Sequence, residues 1–291
     1  MTSYLQLLVS GIATGAIYGL VAVGYSLTFM TTKTFNFGLG MWVMIGGMLT
    51  YEFCVRLGFP PVLGAVAIVG SMYAAGLVAA RLSIQRFLRA GSELWVLSTL
   101  AIGLLLIDVA EIVWGRAQHS VPPYVGESPV RLWTLAVWPQ HILVLVIAVL
   151  LYVWLNFFYR RTLLGKAFRA VARDSDAASL MGIDVPSVER TSYAASAAIA
   201  GLAGFLIVPI TGAEPHLGTS LGFKSFAVAI IAGLGAPRGI LVFGLIYGAF
   251  ENLISAWFGT GLRDIMGFTS MIVVLYFRPA GLFGARSGER I

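Results

Sequence analysis

YLQLLVSGIATGAIYGLVAVGYSLTFM, running from Tyr4 to Met30, contains no charged residue and no proline. About 20 such residues cross the core of a bilayer as a helix. In hydrocarbon the backbone must satisfy its own hydrogen bonds, which leaves helices and closed barrels. A barrel strand would alternate apolar and polar residues, and this stretch does not. It reads as a transmembrane helix.

The same texture recurs along the chain. Of 291 residues 58% are hydrophobic and 11% charged, with a mean hydropathy of +0.88. A soluble chain would carry roughly a quarter charged residues, so the solvent for most of this one is lipid. Nine apolar segments are read, at 4–30, 36–57, 61–80, 93–114, 139–159, 191–212, 222–234, 238–258 and 264–278. The seventh is too short to span alone, and short glycine-interrupted segments often mark broken helices near a transport path. The expectation is an all-α polytopic membrane protein with about 8–9 transmembrane helices and broken or re-entrant segments. GLGAPRG, Gly233–Gly239, reads as a tight turn.

The formal net charge is +6. The basic residues fall between spans rather than along one soluble face, which argues against nucleic acid as a partner. With the N-terminus outside and nine crossings, 14 of the 19 Lys and Arg lie on the cytoplasmic side; Arg56, Arg116, Arg131, Lys224 and Arg263 lie outside. That bias puts the C-terminus and the charged stretch Arg160–Arg190 in the cytoplasm. Cys54 is the lone cysteine, which excludes an internal disulfide and a cysteine metal cluster. No cleavable leader is read at the N-terminus, because Met1–Tyr25 has no basic start.

RRTLLGKAFRAVARDSDAASLMGIDVPSVER (Arg160–Arg190) is the one long polar interruption. Lys166–Met181 fits a helix with Phe168, Val171, Ala172, Ala178 and Met181 near one face. Gly182 is read as its stop and Pro186 as its exit. Such a helix either docks on a partner or is a solvated connector.

Polar residues within spans are the other candidates, because an ionisable group at that depth needs a partner, water or protein around it. Glu251-Asn252 reads either as a gate in a translocation path or as an interhelical packing bond. Asn36 either lines a path or caps a helix. Asp108 and Glu111 read as interface residues near Arg116, and Glu52, Glu214, Lys224 and Asp264 as outer contacts. Gly11, Gly15 and Gly19, like Gly201 and Gly204, form small faces for close helix packing. Gly38, Gly40, Gly233 and Gly235 are read as backbone exposed along a path. FNFGLGMWVMIGGM (Phe35–Met48) and LGFKSFAVAIIAGLG (Leu221–Gly235) share a polar-then-glycine entry, a pattern that an inverted repeat or chance spacing would both produce.

Asp176-Ala177-Ala178, three residues before Gly182, resembles the E-A-A-x-x-x-G loop of bacterial ABC importer permeases, with Asp for Glu. The neighbouring sequence resembles the branched-chain amino acid permeases of the LivH type. GAIYGLVAVGYSL (Gly15–Leu27), FNFGLGMWVMIGG (Phe35–Gly47) and GKAFRAVARDSDAASLMGIDV (Gly165–Val185) carry that resemblance. SAAIAGLAGFL (Ser196–Leu206), FKSFAVAIIAGLGAPRGILVFGLIYGAFEN (Phe223–Asn252) and RPAGLFG (Arg278–Gly284) continue it in family order. Gly38-Leu39-Gly40 stands where the family has a His-Gly-Glu-like element, and Ala232 opens its Gly-Gly-Leu-Gly. Both departures bear on the substrate more than on the fold.

The resemblance implies one permease domain over 1–291, with a cytoplasmic coupling helix in a loop at about 160–190. Arg169, Arg173, Asp176, Ala177, Ala178 and Gly182 would engage an ATPase, while Asn36, Gly38, Gly40, Gly233, Gly235, Glu251 and Asn252 would lie along the path. It implies a bacterial inner-membrane importer of branched-chain or related small hydrophobic amino acids. Its partners would be two ATP-binding subunits, a homologous second permease or a second copy, an extracytoplasmic binding protein and membrane lipid. No phosphate loop, no His-Glu-x-x-His, no Cys-His cluster and no nucleophile elbow are read, so neither an enzyme nor a resident cofactor or metal is expected. An importer of urea, short amides or aromatic acids, or an ion-coupled transporter acting alone, is the alternative.

Overall fold

The computed structural model describes residues 2–82, 85, 94–126, 128–132, 135–234, 237–278 and 282. Helix α1 is Thr2–Thr32, α2 Leu39–Thr50, α3 Pro61–Leu82, α4 Trp95–Trp114 and α5 Pro139–Arg161. Two short helices follow, α6 (Leu163–Arg173) and α7 (Ser175–Leu180). The chain then runs through α8 (Val185–Thr211), α9 (Leu217–Ala232), α10 (Pro237–Phe258) and α11 (Arg263–Phe277). Each of the nine apolar segments carries a helix. Six helices among the described residues are long and apolar enough to cross a membrane: α1, α3, α4, α5, α8 and α10. At 16 residues α9 falls short of the ~20 a crossing needs. Helix α2 is 12 residues long and continues as a π-helical turn, Tyr51–Arg56. One departure from an all-α chain is a small antiparallel hairpin, β1 (Val130–Leu132) and β2 (Leu135–Val137), with Val130 opposite Val137.

Helices α1 and α8 form the centre. Of their apolar stretches 67% and 72% are buried, against 17% in α4 and in α5, whose leucines and valines face outward. Between the central pair, Ser196 Oγ donates to the Gly24 carbonyl at 2.8 Å and Thr31 meets Ser192 at 2.6 Å. Around them the packing is swap-symmetric. Helix α1 packs on α10 as α8 packs on α3; α2 packs on α8 as α9 packs on α1; α4 touches α2 as α11 touches α9. Exchanging α1–α4 for α8–α11 maps each of these pairings onto its counterpart, and the two glycine-rich stretches that open alike, in α2 and α9, are exchanged.

Small residues make this closeness possible. Association in lipid depends on van der Waals contact, which small side chains permit at short backbone separation. A methyl at Gly15 would lie 2.4 Å from the Gly244 carbonyl oxygen, and one at Gly248 2.3 Å from that of Gly11. Gly46 meets Gly201 in the same way, and Gly204 meets Val43 and Gly47. Gly70, on the outer face of α3, has nothing within 4 Å. Gly15→Ala is therefore expected to destabilise by about 1–3 kcal/mol through overpacking, while Gly70→Ala is neutral or slightly stabilising. Melting temperatures of the two variants in one detergent check the contrast, and equal shifts would refute the seam.

Pro209 interrupts α8. It lacks an N–H, so the Phe205 carbonyl one turn earlier has no helical donor. The Tyr124 hydroxyl donates to that oxygen at 2.9 Å while its ring stacks on Phe205. Gln140 Nε2 donates to the next carbonyl, Leu206, at 3.1 Å. The segment between α4 and α5 is thereby fastened over the end of α8, and an antiparallel bridge between His119 and Ala213 adds a second tie.

Candidate functional site

The charged stretch is two helices rather than the single one expected. Thr162 caps α6, its Oγ1 accepting from Gly165 N at 2.9 Å. Gly165, Phe168 and Val171 are buried, and Phe168 sets its edge on Phe158 and Tyr159. Asp174 then breaks the helix: its backbone is extended, and its Oδ1 accepts from Asp176 N at 3.0 Å and Ala177 N at 2.9 Å, starting α7. A side-chain acceptor over free helical N–H groups favours a new start over continuation. Gly182 does stop α7, at φ +83°, with its N–H on the Ser179 carbonyl and Ile183 N on Ala178. Pro186 is not an exit; Asp184 caps α8 and Pro186 sits in its first turn, where its missing N–H costs nothing. Lys33 Nζ reaches the Ala172 carbonyl at 2.8 Å, a cation at the C-terminal end of α6 that ties the stretch to α1.

The exposed face differs from the expected one. Met181, placed with the apolar face, is 83% exposed, and Leu180 beside it is 90% exposed. Arg173, Asp176 and Ala177 are exposed and Ala178 is buried. Arg169 is exposed but lines a cavity with Arg160 rather than joining Leu180 and Met181.

The residues expected along a path do not form one cluster. Asn36 is fully buried at the start of α2, where its Oδ1 accepts from Gly38 N at 3.2 Å and its carbonyl accepts from Leu39 N. A Cβ on Gly38 would meet the Thr99 carbonyl of α4, and one on Gly40 the Gly218 carbonyl and Gly222 of α9. Both glycines therefore serve close backbone approach, and the beginnings of the two short helices α2 and α9 touch. Rings surround this junction: Phe35 packs on Phe29, Phe37 and Phe226, and Tyr25 on Phe226. The cleft bounded by Tyr25, Phe37, Gly222 and Phe226 holds about 10 Å³, roughly one water. Gly233 closes α9 at φ +92°, and Gly235 lies outside the described residues.

Glu251 is fully buried in α10 and is joined to two other helices. The Tyr18 hydroxyl donates to its Oε2 at 2.8 Å, and Lys224 Nζ lies 2.5 Å from Oε1. Lys224 was expected as an outer contact; it is 6% exposed in the second turn of α9, because that helix begins at Leu217 and not near 222. Asn252 Nδ2 donates to the Leu7 carbonyl, which holds α10 to α1. Elsewhere, Glu111 pairs with Arg116 at 2.7 Å and His216 at 3.2 Å, Asp108 is exposed, and Glu52 binds Arg56 and the Trp114 indole. The side chain of Asp264 lies outside the described residues.

Gly218-Thr219-Ser220-Leu221-Gly222 does carry the Gly-x-Ser-x-Gly spacing that the sequence reading passed over. Its serine lies inside helix α9, and both glycines pack on Gly40. A nucleophile elbow needs a sharp strand-to-helix turn, and the element that precedes α9 is helix α8, not a strand.

A family model described as branched-chain amino acid transport system / permease component matches residues 7–275. The high-affinity branched-chain amino acid transport system permease protein BraD of Pseudomonas aeruginosa is 28% identical, over 99% of this chain and 98% of its own length. The corresponding permease protein LivH of Escherichia coli K12 is 26% identical over the same shares. The Methanocaldococcus jannaschii protein named probable branched-chain amino acid transport permease protein LivH is 29% identical over 91% and 88%. No solved structure matches.

Proposed function

This chain belongs to the family of permease components of branched-chain amino acid transport systems, and from that premise we propose that it forms half of an ATP-driven importer's pathway. The cargo is a branched-chain or related small hydrophobic amino acid. The other half is a homologous permease or a second copy, and an extracytoplasmic binding protein delivers substrate to the face that carries the β1–β2 hairpin. Arg160–Arg190 lies in the cytoplasm and the N-terminus outside. Two ATP-binding subunits grip the α6–α7 stretch and supply the chemical energy, so this chain acts by contact and movement and holds no catalytic group.

The observation that supports this reading best is the α7 tip. Leu180 and Met181 stand almost fully exposed at the end of a helix capped on both sides, by Asp174 and by Gly182. Two neighbouring apolar side chains held out on a rigid mount between charged residues suit insertion into a partner's groove. Among the glycines expected along a path, the junction of α2 with α9 is shut to an amino acid, so transport requires these two short helices to part. Ion coupling by this chain alone has less support, because the buried carboxylate of Glu251 is already paired with Lys224.

Purification of the tagged chain in mild detergent tests the assignment. An ATPase with a phosphate loop is expected to co-purify, and reconstituted vesicles are expected to take up leucine only with ATP. A chain that purifies alone and drives ion-dependent uptake would overturn it.

A further inference from the structure

We propose that α1, α5 and α6 form a binding site for one anionic phospholipid of the leaflet that faces the coupling stretch. A cavity of about 370 Å³ lies between α1 and α5. Its wall is mainly apolar, with Val23, Leu27 and Leu155 in it, and Asn156, Arg160 and Arg169 also line it. Arg160 stands in the last turn of α5 and Arg169 in the middle of α6, so two separate helices each bring an arginine to the lining of one cavity.

Neither guanidinium has an ion-pair or hydrogen-bond partner among the described residues, and no carboxylate lines the cavity. The Asn156 amide is likewise without a partner among them. The missing charge is therefore negative, and a guanidinium pair matches the oxygens of a phosphate ester better than any single-point acceptor. The remaining wall decides what carries that phosphate. A water-soluble anion gains nothing from the Val23, Leu27 and Leu155 side chains, whereas an acyl chain does. A zwitterionic amino acid would need an acidic partner for its ammonium, which this cavity lacks. Basic pockets between spans on the cytoplasmic side are suited to acidic head groups, and the proposal rests on the orientation given above for that side. A lipid seated here would bridge α1 and α5 to α6 and so brace the mount on which α7 is carried.

Native mass spectrometry of the detergent-purified full chain, with whatever subunits co-purify, tests this. Phosphatidylglycerol and phosphatidylcholine of identical acyl chains are titrated separately, and inorganic phosphate is added as competitor. One phosphatidylglycerol is expected to be retained with about tenfold preference. Arg160→Gln combined with Arg169→Gln should abolish the preference while the melting temperature holds. If the double variant fails to fold, an acyl-diazirine phosphatidylglycerol on the unaltered protein decides; cross-links at Tyr152–Arg160 are expected. Equal retention of the two lipids, displacement by inorganic phosphate, or cross-links on a second copy or another subunit instead would overturn the proposal. Labelling of Lys166→Cys, in a Cys54→Ser background, from each side of sealed vesicles tests the orientation separately. A phosphatidylglycerol preference with position 166 outside would keep the site and refute its leaflet.

Discussion

Glu251→Leu is expected to destabilise the protein by about 3–5 kcal/mol, because it leaves the Lys224 ammonium buried without its counter-charge. Lys224→Met should cost a similar amount for the mirror reason. The two together are expected to recover most of that loss, since removing both charges removes both desolvation penalties, and an apolar pair of similar volume is often neutral or better. Tyr18 keeps the recovery incomplete, as its hydroxyl loses the Glu251 oxygen that accepts from it at 2.8 Å. Melting of the four proteins in one detergent closes the cycle. If the double variant equals the sum of the singles, the pair is not coupled and the assignment fails. The same variant separates the two readings of Glu251. A stable double variant that still transports leucine makes the pair a clamp between α9 and α10; one that folds and does not transport puts the carboxylate on the path.

Lys224 sits two residues inside an apolar run read as starting at 222, which puts it near the outer end of a span. The helix begins five residues earlier because Leu217–Leu221 (Leu-Gly-Thr-Ser-Leu) holds neither a charge nor a proline to stop it, and that moves Lys224 into the interior. Charge counting assigns every lysine near a span end to water, so it has no way to find one whose partner is 27 residues away. The six helices long enough to cross were legible, since long apolar runs have only one outcome in lipid. The break at Asp174 was also legible in principle: an Asp followed by Ser-Asp-Ala-Ala is a helix start, and Asp184 with Pro186 is another. An amphipathic pattern that continued across the break concealed the first. Glycine alone does not separate a packing position from one along a path. Gly15 and Gly40 look alike in sequence, and only the backbone opposite each one shows that both meet another helix.

The second large effect is expected at the other end of the molecule. Gly182→Leu and Asp176→Arg should each abolish leucine uptake, at least tenfold, while the associated ATPase continues to hydrolyse ATP. Gly182 has nothing within 4 Å of where a Cβ would be, so the substitution meets no clash. Its cost is conformational: φ +83° disfavours any L-residue by about 1–2 kcal/mol. The turn relaxes only by giving up the bonds from Gly182 N to Ser179 and Ile183 N to Ala178. Leu180 and Met181 then lose the direction in which the turn holds them. Asp176 acts differently. It is exposed in the first turn of α7, where a negative charge suits the helix end; arginine there reverses the charge of the docking face and weakens α7 as well. Both changes lie outside the membrane helices, so melting temperatures should move little. Uptake and ATP hydrolysis measured on the same proteoliposomes give the ratio that matters. Normal stoichiometry in both variants would mean that force enters the permease elsewhere and that α7 is only a connector.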